Sequence, residues 1–150
     1  MNPADPQRVA LYAAEDEALA GLGPDLRRWS DVVAYVESVV LRPDWIDAPT
    51  EPPTDVIVER RSRSARFAAA DRPSGTIWIP DGRWNAPTVL HEMAHLVAAT
   101  AEPHGAPFAA AELWLVRWRV GVEAFVALRA AFDRHGVRYE GPCVPMLSRS

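Results

Sequence analysis

The stretch Asn85-Ala86-Pro87-Thr88-Val89-Leu90-His91-Glu92-Met93-Ala94-His95-Leu96-Val97-Ala98-Ala99-Thr100 decides how this chain is read. As a helix it places His91 and His95 four residues apart on one face, one turn above the other. Two imidazoles so placed can share one metal ion. Glu92 follows about 100° round the helix and reaches the open side of such a site. A zinc hydrolase needs this set: neutral nitrogen ligands, and a carboxylate that takes a proton from water on the metal. The remaining residues are apolar nearly all round, which predicts a buried helix. Two histidines and a glutamate are costly there without a partner, and a metal is the simplest one. The plain alternative is a pair of satisfied core histidines with Glu92 at the surface.

His104 extends the pattern. A helix over residues 86–99 is stopped by Ala101-Glu102-Pro103. Four or five extended residues span up to about 15 Å, enough to bring His104 back to the metal. Three protein ligands with an open fourth position is the catalytic form of a zinc site, whereas structural sites are closed by four. The ligands expected are thus His91, His95 and His104, with Glu92 as the catalytic base and Zn2+ as the cofactor.

The chain has 150 residues, 49% of them hydrophobic and 24% charged. That is the composition of an ordinary globular protein, of a length suited to one domain. No apolar run reaches a membrane span, and residues 1–8 lack the basic-then-apolar pattern of a signal peptide. A cytoplasmic location and no membrane partner are expected. The single cysteine, Cys143, excludes a disulfide or a cysteine-based zinc ribbon within these residues. A net charge of −4 argues against a general nucleic-acid binder. All 16 basic residues are arginine, which looks like the codon bias of a GC-rich genome.

Elsewhere, residues 5–19 read as a helix with Glu15-Asp16-Glu17 on its solvated face. Ser30 or Asp31 caps a second helix to about Leu41, and Pro43 stops it. Residues 48–53 form a proline-rich connector. Strands are expected near 55–61, 66–70 and 76–80, the first two paired through a link at 62–65. Arg60, Arg61, Arg63 and Arg66 cluster at that hairpin; they could meet phosphate or an acidic peptide, but an exposed hairpin end explains them as well. Asn85 caps the metal helix. Residues 106–119 and 122–134 are helical, with Arg117 and Arg119 outward and Phe125 and Val126 inward. Gly136 caps the last helix, beside His135, which reads as a cap rather than a ligand. The fold class is therefore α+β, in one domain over residues 1–150. It comprises an N-terminal helical part (1–47), a core (54–136) with a small sheet, the metal helix and a helical C-terminal half, and an irregular tail (139–150).

From about Thr76 to Gly136 the chain resembles the zincin metalloproteases. Within that group it is most similar to SprT-like and related minimal bacterial zincins, on a strand at 77–79, the HExxH helix, and His104-Gly105 followed by Phe108. It also looks like a group of short metallohydrolases of high-GC bacteria that end soon after two C-terminal helices. The resemblance implies His91, His95 and His104 as zinc ligands, Glu92 as general base, and residues 76–80 as an edge strand along which a peptide substrate lies. SprT-like proteins that act at DNA usually carry a further nucleic-acid module; none lies within these residues, and no nucleic-acid partner is expected. Unlike the metzincins, the third histidine follows His95 by nine residues rather than six, without the expected glycine turn. In glutamate-zincins a carboxylate of the following helix completes the site, so Glu112 and Glu123 remain candidates, with Cys143 a weak one. Glu112 could instead hold a ligand imidazole from outside.

Function is expected to be that of a zinc metallopeptidase acting on peptides or proteins. The alternatives are hydrolysis of a non-peptide amide or ester, and a non-catalytic metal-stabilised module with a fourth ligand and no open pocket. Arg83, Arg138 and Tyr139 are candidate donors to the developing oxyanion.

Overall fold

The computed structural model describes residues 4–139. Cys143 and the tail expected over 140–150 lie outside the described residues. Six helices and three strands follow in the order α1 (Arg8–Leu19), α2 (Trp29–Val40), α3 (Pro43–Ile46), β1 (Ile57–Arg61), β2 (Ala69–Asp71), β3 (Thr76–Pro80), α4 (Ala86–Val97), α5 (Ala106–Arg119) and α6 (Val122–His135). This is a small α+β domain with most of its mass in helices.

The sheet order is β1-β3-β2. β1 runs parallel to β3, with Ile57 opposite Thr76 and Arg61 opposite Pro80, and β2 runs antiparallel to β3, with Ala70 opposite Ile77. The expected β1–β2 hairpin is therefore absent. The hairpin is β2–β3, closed by the turn after Asp71. Burial explains the choice. Ile77 and Ile79 are fully buried, and β3 is covered on both faces, whereas β1 is largely exposed along its length. A strand that apolar belongs in the middle. For the same reason residues 76–80 are not an edge strand; β1 and β2 are the edges. Pro80 is tolerated because it is the last ladder residue, and Asp81 supplies the next donor, its N–H reaching the Arg61 carbonyl at 2.9 Å.

Gly75 closes the hairpin turn with φ of +68°, and a Cβ there would lie 2.9 Å from the Asp55 carbonyl oxygen. Its own carbonyl accepts from Ile57, so the turn delivers β1 to β3. Arg72, in the same turn, donates to the Leu96, Thr50 and Glu51 carbonyls. It thereby satisfies an orphan carbonyl at the end of α4 and pins the proline-rich connector. Trp45, fully buried, pins the connector from the other side through a 2.9 Å bond to the Pro53 carbonyl. Pro43 starts α3 as well as ending α2.

Asp31 is not the cap of α2 but its third helical residue. Its carboxylate accepts from the backbone N–H groups of Arg27 and Arg28, and Arg28 is the cap. Asn85 does cap α4, accepting from Thr88 N–H at 2.8 Å, with Pro87 in the first turn. α4 ends at Val97, two residues before the expected end, where Ala98 turns extended.

α4 lies at the centre, against the sheet on one side and α5 on the other. That position accounts for an apolar surface nearly all round. Ala86, Val89, Leu90, Met93, Ala94, Leu96 and Val97 are all buried. α5 is equally enclosed from Phe108 to Val116, and α6 packs on α5 and α1. Gly136 takes the left-handed cap with φ of +71°, and Val137 N–H closes onto the Phe132 carbonyl. Two details differ from the amphipathic reading. Val126 is exposed, and Arg119 is half-buried, its guanidinium over the Tyr35 ring and on the Ser38 hydroxyl. No helix among the described residues is long and apolar enough to cross a membrane.

Candidate metal centre

The two histidines of α4 and the loop histidine after it converge. His91, His95 and His104 each present a ring nitrogen to a common point, all within 4.8 Å of one another. Nε2 of His91 and Nε2 of His104 are 3.3 Å apart. A tetrahedral zinc with bonds of 2.0–2.1 Å sets its ligand nitrogens about 3.3–3.4 Å apart. The donor set and this spacing fit a metal ion. Phe108, the first large residue of α5, supports all three rings, with centroid distances of 4.8, 4.4 and 5.0 Å to His91, His95 and His104. Tyr12, from α1, stacks on His91 at 5.3 Å and leans on His104 at the same distance.

The outer nitrogens are held by carboxylates. Nδ1 of His104 meets Asp5 Oδ2 at 2.7 Å, and the other Asp5 oxygen accepts the His104 backbone N–H. Gln7 donates to the His104 carbonyl at 3.0 Å and also bonds Arg138. Gln7 stands at the N-cap of α1 yet gives the helix no side-chain cap. Its amide ties the third histidine's loop instead. Nδ1 of His91 lies 2.5 Å from Glu15 and 3.5 Å from Glu112. In each case a carboxylate on Nδ1 leaves Nε2 free to face the common point, an arrangement typical of metal-ligating histidines.

Charge follows burial and neighbours. His95 is pushed down to about 2 by burial, with the other two imidazoles adding to the effect. Its imidazole is neutral at any ordinary pH. Burial also lowers His104, against the opposing pull of Asp5. Burial would lower His91 too, but Glu15 and Glu112 outweigh it and hold the imidazole well above its usual range. Of the two carboxyls, Glu15 is raised well above its usual range, by burial first and then by Glu112. Glu112 is completely buried, and neither of its oxygens has a well-aligned donor. Burial alone would raise it; Glu15 and His91 outweigh that and lower it. Glu92 is buried beside His91 and is raised to about 7, first by burial and then by Glu112, against His91 and Arg61.

His91 and Glu92 open onto a cleft of about 490 Å³. Tyr12, Glu15 and Asp16 of α1 form one wall; Arg66, Phe67 and Ala68, just before β2, form another, with Arg83 at the end. A smaller cavity of about 400 Å³ opens beside His95, between β2 and the end of α4.

Five candidates fall elsewhere. Glu123 is exposed at the start of α6. Arg138 and Tyr139 do not line the cleft; the Tyr139 hydroxyl donates to Asp133. His135 sits in the last turn of α6, 3.7 Å from Glu17. Glu112 stands on the Nδ1 side of His91, outside the group formed with His95 and His104.

Sequence gives no sign of Asp5 or Tyr12 as partners of the histidines, and Glu15, expected on the solvated face of α1, instead turns inward onto His91. Glu15 belongs to an acidic run whose other members, Asp16 and Glu17, are exposed. A signal was present: Glu15 falls four residues after Leu11 and four before Leu19, both buried, on the apolar stripe of α1. No protein-family model matches the chain, and no curated protein or solved structure matches it.

Proposed function

We propose that this protein is a zinc-dependent hydrolase of the zincin kind, and that its substrates are peptides. The observation that carries the reading is the convergence of three neutral-capable imidazoles beside a buried carboxylate and an open cleft. His91, His95 and His104 would hold the ion. When bound, zinc would supply a Lewis acid and bring its water's pKa towards neutrality.

The chain's own groups do the rest. Glu92, poised near neutrality by burial, accepts a proton at its carboxylate and returns it to the leaving amine. Asp5 and Glu15 fix the His104 and His91 rings, so that little rearrangement attends metal binding. Tyr12 and Phe108 exclude water from the flanks of the three rings. The two cavities lie along one face of α4, marked by Thr88, His91, Glu92, His95 and Ala98, with residues 66–73 facing them. The free edge of β2 runs beside this line, so an extended peptide would add to β2, not to β3. A closed structural site needs a fourth ligand, and the described residues gather three around the common point.

The test is hydrolysis of a denatured protein such as casein by zinc-loaded wild type and by Glu92→Gln. Cleavage by wild type and none by a variant that still holds zinc is expected. Equal cleavage by both would refute the mechanism. Cleavage of amides or esters outside peptides, with none of casein, would move the substrate class.

A further inference from the structure

Two arginines of the cleft have no work in the fold. Arg66 and Arg83 line the same cavity as His91 and Glu92, from different parts of the chain, and both are exposed. Among the described residues neither guanidinium makes an ion pair or a hydrogen bond; Arg83 bonds only through its backbone, to Pro80 and Asn85. Their neighbours differ in this respect. Arg60 pairs with Asp81 at 2.7 Å, Arg61 lies over Trp78 and on the Phe67 carbonyl, and Arg72 holds three carbonyls. Two unpaired guanidiniums line one cavity of about 490 Å³, and an anion held there would be attracted by both. Phe67, 62% exposed, stands beside Arg66 and offers an apolar shelf to the ligand's carbon chain. On the facing wall Glu15 is taken by His91, which leaves Asp16 as the only carboxylate there without a partner among the described residues. Arg66 on one wall and Arg83 at the end thus bring two unpaired positive charges to a cleft that also holds Glu92, in a chain whose net charge is −4.

We propose that Arg66 and Arg83 form a carboxylate-binding subsite beside the metal centre, selecting peptides that carry a carboxylate next to the bond that is cut. The inference rests on the peptidase reading and adds the substrate's chemistry to it. Arginine forks match a carboxylate in geometry and charge, whether it is an aspartate or glutamate side chain or the end of the peptide.

The experiment uses four short peptides that share a hydroxamate anchor for zinc. One is neutral with an amidated end, one carries glutamate, one carries a free C-terminal carboxylate, and one carries lysine. Binding is measured by calorimetry on the zinc-loaded full chain, on Arg66→Gln/Arg83→Gln, and on a remote pair, Arg42→Gln/Arg129→Gln, that loses the same charge. Zinc content of each protein is measured first. At least one carboxylate peptide should bind wild type about tenfold tighter than the neutral one. That preference should vanish in Arg66→Gln/Arg83→Gln and persist in the remote pair, with the neutral peptide bound alike by all three. Which carboxylate peptide wins identifies the source. Equal binding of neutral and acidic peptides, preference for lysine, or a preference that survives loss of both arginines would overturn the subsite while leaving the peptidase reading intact. Failure of zinc-loaded wild type to bind even the neutral hydroxamate would overturn both.

Discussion

The Glu15 carboxylate lies 2.5 Å from Nδ1 of His91, across a sequence separation of 76 residues. α4 and α1 meet at this contact, and it orients the first imidazole of the candidate site. Glu15→Ala should therefore weaken zinc binding by about 10–100-fold without changing stoichiometry. Competition against a chelator of known affinity measures it. Unchanged affinity would show that packing alone, through Tyr12 and Phe108, orients the ring.

Asp5 does for His104 what Glu15 does for His91, with one addition: it also accepts the His104 backbone N–H. Asp5→Ala should lower zinc affinity about 10–100-fold as well and loosen the loop from Ala98 to Gly105. Faster amide hydrogen exchange in that loop, with the core of α4 unaffected, is the expected result. A loop that exchanges no faster would show that Gln7 holds it unaided.

Glu92 carries a pH signature in the metal-free protein. Its folded pKa, raised to about 7, exceeds the unfolded value of 4.5. A group raised on folding contributes stability that is fully present below the unfolded pKa and is lost as pH rises through the folded one. Relative to Glu92→Gln, metal-free wild type should lose about 3 kcal/mol between pH 4.5 and 7 and then level off. His91 is also raised, and His95 is lowered; these act in both proteins, so the difference isolates Glu92 to first order. Denaturant unfolding at several pH values checks it. A flat difference would mean that water solvates Glu92.

The sheet order makes a prediction about stability. Ile77 of the central strand is fully buried, and Ile57 of the edge strand is 48% exposed. Ile77→Ala should cost about 2–5 kcal/mol and Ile57→Ala less than about 1. Similar losses at the two positions would argue against β3 as the central strand.

The site's skeleton was legible because it is local. His91, Glu92 and His95 are fixed by helical spacing, Asn85 by the chemistry of a cap, and His104 by the short reach from a proline-stopped helix. Strand existence was legible too, from the alternation in residues 76–80. Pairing was not. Strand partners depend on which strand burial places in the middle, and the short β2 gave little sign that it would join β3 rather than β1. Nor were Asp5 and Glu15 readable as partners of histidines, since they reach them across separations of 99 and 76 residues. Glu112 gave a clearer sign, being a lone charge inside a helix otherwise apolar from Phe108 to Val116.

The most direct test is zinc content of wild type and His104→Ala after identical loading and desalting. About one zinc per chain in wild type, sharply reduced in His104→Ala, is the expected outcome for a site of three histidines. Wild type that takes up no zinc, or His104→Ala that retains it in full, would contradict the account.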